Sequence, residues 1–140
     1  MFVTRRNGRD ILLLHRSPAQ GAYWHVVAGG VEPGETFVAA AERELREETG
    51  LVAEVTDGVE VAEFADALTG EPAGHDGSDE PSVVEVTVKC FRVAAPDAWE
   101  PTLDWEHDDH EWCDPGRAFE ALRWPGTARA LRELFGMEHL

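Results

Sequence analysis

Apolar and polar positions change their period along the chain, and each change marks an element. Phe2 to Arg6 reads as a short strand, and Asn7-Gly8 is a strong two-residue hairpin signal. Asp10 to His15 (Asp-Ile-Leu-Leu-Leu-His) reads as a buried strand, so a hairpin opens the domain. Its first strand is short, which leaves room for a start upstream of Met1. Ser17 to Ala22 is a loop, Tyr23 to Val27 is β-prone, and Ala28 to Glu35 (Ala-Gly-Gly-Val-Glu-Pro-Gly-Glu) is a glycine-rich loop. Thr36 is placed to cap a helix that runs to about Thr49, with Gly50 as its stop.

Leu51 to Asp66 is rich in valine and broken at Asp57-Gly58, and reads as two short strands or one bent one. Thr69 to Pro81 is the clearest loop and is expected to be mobile. Val83 to Ala94 alternates as a long strand, Pro96 to Asp109 is irregular and acidic, and His110 to Cys113 is a short strand. Asp114-Pro115 opens a helix to about Arg123. Pro125 starts a final helix, with Ala128, Leu131, Leu134 and Phe135 at helical spacing. Strands mixed with helices in one small domain predict a mixed sheet between helices.

The segment from Thr36 to Gly50 carries the most information. At about 100° per residue, Phe37, Val38, Ala40, Ala41 and Leu45 share one broad arc that should face the core. Glu44, Glu47 and Glu48 fall within or beside that arc, further along the helix, and their spacing stacks them as neighbours. Like charges at that spacing repel by some tenths of a kcal/mol per pair. Glu47 and Glu48 also oppose the negative end of the helix dipole, at about 0.3–1 kcal/mol each. The competing interpretation is an acidic solvated face with arginine partners. A divalent cation held by the acids would reverse both penalties.

Composition sharpens that choice. The chain has 140 residues, enough for one domain, with 43% hydrophobic residues and a formal net charge of −16. Only one residue, Lys89, is a lysine. Such a surface repels duplex nucleic acid and anionic lipid. A small polyanion remains acceptable where a cation screens the acids. No run approaches the length of a transmembrane helix, and the first residues carry no signal-peptide core. Cys90 and Cys113 form no CxxC and are expected to be reduced thiols in a cytoplasmic protein. The histidines, His15, His25, His75, His107, His110 and His139, show no zinc spacing. His107 and His110 are candidates for supporting a site, and the other four read as ordinary.

Gly29, then five residues, Glu35, then seven residues, then Arg43-Glu44-Leu45-Arg46-Glu47-Glu48-Thr49-Gly50-Leu51 is similar to a complete Nudix box. Nine specified positions over 23 residues make chance a poor explanation. The chain thus resembles the Nudix hydrolases as one domain over 1–140, with the box at 29–51. The resemblance implies an α/β/α sandwich with a mixed central sheet. It also implies Mg²⁺- or Mn²⁺-dependent hydrolysis of a nucleoside diphosphate linked to another moiety. It implies Glu44, Glu47 and Glu48 as metal ligands, joined by the main-chain carbonyl of Ala28, with Glu47 or Glu48 bearing on the attacking water. Glu35 and Arg43 would tie loop to helix, and Gly29, Gly30 and Gly34 would let the backbone approach metal or phosphate.

Relatives often add a carboxylate from a later loop. Glu106-His107, with Trp112 five residues beyond that histidine, resembles this loop in the dihydroneopterin-triphosphate and dATP pyrophosphohydrolases. That points to Glu106 as a further ligand or base, with Asp108, Asp109 and Glu111 as alternatives. Tyr23 to Val27 and the Trp124 region resemble the same branch. Arg16 is either a phosphate contact or a surface cation. Trp24 and Trp124 either stack on a ring or pack in the core. The expected substrate is a nucleoside or pterin triphosphate, split into monophosphate and pyrophosphate by a monomer or homodimer that binds no nucleic-acid polymer and no membrane. ADP-ribose, a nucleotide sugar or another nucleoside diphosphate derivative is the alternative within the chemistry, and a nucleotide sensor without turnover is the alternative outside it. Loops such as Thr69–Pro81 would set the choice among substrates.

Overall fold

The computed structural model describes residues 1–55, 58–67, 72 and 83–137. In chain order the elements are β1 (Phe2–Arg5), β2 (Asp10–Arg16), β3 (Trp24–His25), α1 (Phe37–Thr49), β4 (Gly58–Asp66), β5 (Val83–Ala94), β6 (His107–Cys113), α2 (Pro115–Ala121) and α3 (Pro125–Phe135). The Thr69–Pro81 loop lies outside the described residues apart from Pro72, and so do His75 and His139.

Asn7 and Gly8 take positive φ, as the hairpin signal requires, and β1 returns antiparallel as β2 with Thr4 opposite Ile11. β1 also pairs parallel with β5, and β5 pairs antiparallel with β4 along the whole of β4. β2 pairs antiparallel with β6 and with β3. The sheet is therefore mixed, in the order β3-β2-β1-β5-β4, with β6 on β2. A strand has two edges and β6 runs along nearly all of one of them. β1 and β3 therefore follow each other along the second.

Alternation on the central strands separates two cores. Val3, Leu12, Leu14, Phe91 and Val93 join Leu45 of α1 and Val27 in one buried cluster. Phe2, Ile11, Leu13 and Cys90 join Ala118 of α2 and Ala130 and Leu131 of α3 in the other. Neighbouring residues thus feed opposite faces, and helices cover both. Each fully buried Leu, Ile or Phe side chain contributes roughly 1.5–3 kcal/mol. The result is the expected α/β/α sandwich.

Several boundaries differ from the sequence reading, and β3 covers only Trp24–His25 of the Tyr23 to Val27 stretch. Leu51 to Val55 forms no strand. Its ends are buried against the α1 core, and the Val55 N–H donates to Glu42 Oε2 at 2.9 Å, so a side chain replaces a ladder partner. β6 starts at His107 instead of His110, inside the stretch read as irregular. α2 ends at Ala121, two residues before Arg123.

Glu63 on β4 holds a role that alternation did not reveal. Its buried carboxylate accepts from the backbone N–H of Gly126 (2.8 Å), from that of Thr127 (2.8 Å) and from the Thr127 hydroxyl (2.9 Å). These are the free donors at the start of α3, whose own cap position is Trp124 and supplies no side-chain acceptor. The carboxylate comes close because residue 126 is glycine: an added Cβ would lie 2.7 Å from Glu63 Oε1 and 2.8 Å from the Ala62 carbonyl.

Glu63→Ala strands buried donors and is expected to lower the unfolding free energy by about 2–3 kcal/mol in urea titrations. Gly126→Ala should also destabilise by pushing α3 off the sheet. An unchanged unfolding midpoint for both variants would show that this cap contributes nothing.

Candidate functional site

α1 presents the acids. Thr36 Oγ1 accepts from the Ala39 N–H at 3.0 Å and starts the helix, and Gly50, at φ 82°, ends it with its N–H on the Arg46 carbonyl. Leu45 and Ala40 anchor the buried face. Glu48 follows that face and is almost wholly enclosed, with its side chain 4% exposed. Glu44 sits one turn earlier at 17%, whereas Glu47 swings outward at 52%. Two of the three stacked acids therefore point where the wheel placed them, and Glu47 faces Arg43 instead. Phe37, expected in the core, is exposed at the mouth of a cleft.

Arg43 ties this helix to the glycine-rich loop. Its Nε and Nη2 donate to Glu35 at 2.8 and 3.0 Å, and Nη2 also donates to the Gly30 carbonyl at 2.9 Å. Its Nη1 donates to Glu44 at 2.8 Å and to Glu47 at 3.2 Å, with Glu32 at 3.8 Å. The Glu32 N–H closes the loop on Glu35 at 2.8 Å. The Arg43 hydrogen bonds hold the Glu35 carboxyl down at about 2, and the Glu35 carboxylate in turn raises the guanidinium. One positive charge thus meets four carboxylates.

Glu48 lies behind that cluster. Its Oε1 accepts from the Ala28 N–H at 3.4 Å. Burial, then the hydrogen bond and charge of Glu44, push its carboxyl up to about 9. Gly29 is what lets the loop lie on these two acids: a Cβ there would sit 2.1 Å from the Glu44 carboxyl carbon. At Gly30 an added Cβ would meet nothing within 4 Å, so close approach does not require glycine there. Among the described residues, no three Asp, Glu, His or Cys side chains already converge as metal ligands.

The opposite wall comes from the segment before β6. The register of β2 and β6 shifts between His15 and Arg16, which pair with Asp109 and His107. This bulge leaves Asp108 out of the pairing, on His15 Nδ1 at 2.6 Å, and turns His107 inward. His107 is buried, with Nδ1 on Asp104 at 2.7 Å and Nε2 3.7 Å from Glu48. Glu106, next in the chain, lies 3.6 Å from Arg16, whose guanidinium also donates to Gln20. The alternative acids go elsewhere: Asp109 to the His110 N–H, and Glu111 to Arg117.

Beside Glu44 opens a cleft of ≈ 380 Å³, lined by the loop from Val27 to Val31, Phe37 and the middle of β5, including Lys89. His25 and Thr127 also line it. His25 is buried, and its Nδ1 has no hydrogen-bond partner among the described residues. A buried polar atom left unpaired costs about 1–3 kcal/mol. Burial, followed by the nearby positive charges, lowers the imidazole to about 3. Trp24 does not join this group. Its indole packs on the other core, edge-on to His15 at 5.0 Å. Sequence reasoning took His25 as ordinary, expected Phe37 in the core and gave no role to Lys89 at the cleft or to Asp104 on His107. The available signal was a histidine inside a β-prone stretch leading into the glycine-rich loop.

Comparisons with known proteins agree with this architecture. A family model described as NUDIX domain matches residues 1–134. The octanoyltransferase of Myxococcus xanthus is 35% identical over 123 residues, covering 87% of this chain and 31% of that protein. The chain thus spans about a third of that relative's length. Among solved structures, the E. coli dihydroneopterin triphosphate pyrophosphohydrolase aligns with TM-score 0.70 and 25% identity over 94% of this chain and 89% of its own. A binary complex of a C. elegans Ap4A hydrolase aligns with TM-score 0.72 and 21% identity over 96% and 91%.

The raised Glu48 and lowered Glu35 carboxyls predict opposite pH slopes. The folded chain keeps the Glu48 proton up to about 9, whereas the unfolded chain loses it near 4.5. Without divalent cations, stability from this group is full below pH 4.5 and lost by pH 9. Glu48→Gln should flatten that decline. Glu35, held at about 2, contributes stability above pH 4.5 that is lost as pH falls toward 2, and Arg43→Gln should remove it. Unfolding midpoints measured against pH in EDTA check both. A wild-type slope retained by Glu48→Gln would assign it to another group.

Proposed function

The chain belongs to the Nudix hydrolase family, and from that premise we propose that it is a Mg²⁺- or Mn²⁺-dependent pyrophosphohydrolase. It takes a nucleoside or pterin triphosphate and releases the monophosphate and pyrophosphate, with water as nucleophile. The observation that carries this reading is the Glu44–Glu48 pair, pressed together under the glycine-rich loop, where a Cβ at Gly29 would meet the Glu44 carboxyl. Two desolvated carboxyls in contact are stable with a shared proton or a shared cation between them.

The donor set suits a hard cation. Glu44, Glu47 and Glu48 would hold it, with the Ala28 carbonyl and Glu106 adding oxygen ligands. Four carboxylates facing one guanidinium leave the negative charge that such a cation would balance. Bound there, the metal supplies charge neutralisation on the phosphates and a more acidic water.

The protein's own groups supply the rest. Arg43 fixes the loop against α1, so the acids and the 28–35 backbone keep one geometry. Glu48, Glu47 or Glu106 takes the proton of the attacking water, and His107, oriented by Asp104, stands 3.7 Å behind Glu48 to hold its position and charge. Arg16, beside Glu106, meets a phosphate oxygen. The cleft beside Glu44 receives the organic part of the substrate. The similarity to the E. coli dihydroneopterin triphosphate pyrophosphohydrolase supports a triphosphate that carries a heterocycle.

The test is a substrate panel with Mg²⁺: nucleoside triphosphates, dihydroneopterin triphosphate, ADP-ribose and dinucleoside polyphosphates, with products separated by chromatography. Monophosphate and pyrophosphate should form from a triphosphate. EDTA should abolish the reaction, and Glu47→Gln or Glu48→Gln should lower kcat by orders of magnitude. Cleavage of ADP-ribose alone would overturn the substrate class, and turnover indifferent to EDTA and to both variants would overturn the mechanism.

A further inference from the structure

His25 stands out among the cleft residues because no hydrogen bond from the described residues matches its buried nitrogen. It ends β3, opposite Leu14, on the sheet face that packs against α1. The Tyr23 ring lies tilted at 6.1 Å between centroids. The His25 Nδ1 is enclosed and makes no hydrogen bond to any described residue. A phenylalanine or leucine would fill the same space without that loss. The ring lines the cleft with Nδ1 closed off from it, so a turn of the imidazole is what brings that unsatisfied nitrogen to a ligand's complementary atom.

The cavity indicates the shape of that ligand. Phe37 and Val86, both exposed, flank the opening, and Val88 lines the wall from β5. Lys89, the only lysine in a chain of net charge −16, also lines it. Glu44 stands at one side, so a ligand whose charged end lies at the acids extends its other end toward His25. Largely apolar walls, with His25 among a few polar groups that include Lys89 and Thr127, suit a flat ring that buries its faces and offers a hydrogen-bonding edge.

We propose that His25 selects the substrate's organic group, by hydrogen bonding from the wall of the cleft to the polar edge of a nitrogen heterocycle whose faces pack on Phe37, Val86 and Val88. This rests on the proposed function, because the heterocycle is that of the triphosphate, and it names His25 as the residue that distinguishes one ring from another. The imidazole stays uncharged at neutral pH, so it offers one donor and one acceptor. It therefore favours rings that present a matching acceptor or donor and rejects those that leave the imidazole unpaired.

The experiment uses ligands without phosphate and so is independent of turnover. Adenosine, guanosine, cytidine, uridine and neopterin are titrated into the intact protein in EDTA. The imidazole ¹⁵N resonances of His25 are followed by NMR, and affinities are taken from the shifts. One heterocycle should bind saturably and move the His25 resonances. His25→Phe should weaken it at least tenfold, while His25→Asn, which keeps a polar edge, should change the order of preference among the five. A failed hydrolysis panel with this result intact would overturn the reaction and leave the binding site standing. The inference is overturned if no heterocycle perturbs His25, or if a folded His25→Phe protein binds the preferred ring as wild type does. Should His25→Phe fail to fold, the wild-type resonances and His25→Asn still decide between these outcomes.

Discussion

The Arg43 guanidinium touches the Glu35 carboxylate twice, Glu44 and Glu47 once each and the Gly30 carbonyl, and the arrangement of the site follows from those contacts. They join a loop with no ladder of its own to the helix that carries the acids. A planar, permanently charged fork is suited to that task, because its donors are fixed relative to one another. It also leaves a deficit, since one charge faces four carboxylates. The cluster is thereby held together and kept negative at once, which is the condition for attracting a cation without collapsing in its absence.

The sheet supplies the frame for this cluster. β2 sends Leu12 and Leu14 to the α1 side and Ile11 and Leu13 to the other, so one strand anchors both cores. On its edge, a single irregularity in the pairing with β6 decides which residue faces Glu48. With a regular register, the residue two before His110 would share its face, and that residue is Asp108. The bulge brings His107 there instead and leaves Asp108 to His15. A buried carboxyl therefore meets an imidazole where it would otherwise meet a third acid.

Acids in this chain serve different ends according to what surrounds them. Glu63 is buried and fully bonded to the start of α3, and it stabilises the far layer. Glu35 is paired with Arg43 and keeps its charge. Glu48 is buried against another carboxyl, and both burial and that neighbour raise its pKa. The residue type is the same in each case, and the difference lies in whether donors, a cation or a like charge stand opposite.

Much of this was legible in the linear chain. The Asn7-Gly8 turn, the Thr36 and Gly50 helix ends and the alternation of β5 are local signals, and they give elements close to those observed because local geometry fixes them. The box from Gly29 to Leu51 revealed the family for the same reason: its spacing follows the turns of one loop and one helix. The other parts depend on which strands meet. The cap that β4 supplies to α3, the bulge that selects His107 and the unpaired nitrogen of His25 involve residues far apart in sequence. Only packing places them together, because hydrogen bonding and desolvation act over a few ångströms of space and take no account of distance along the chain.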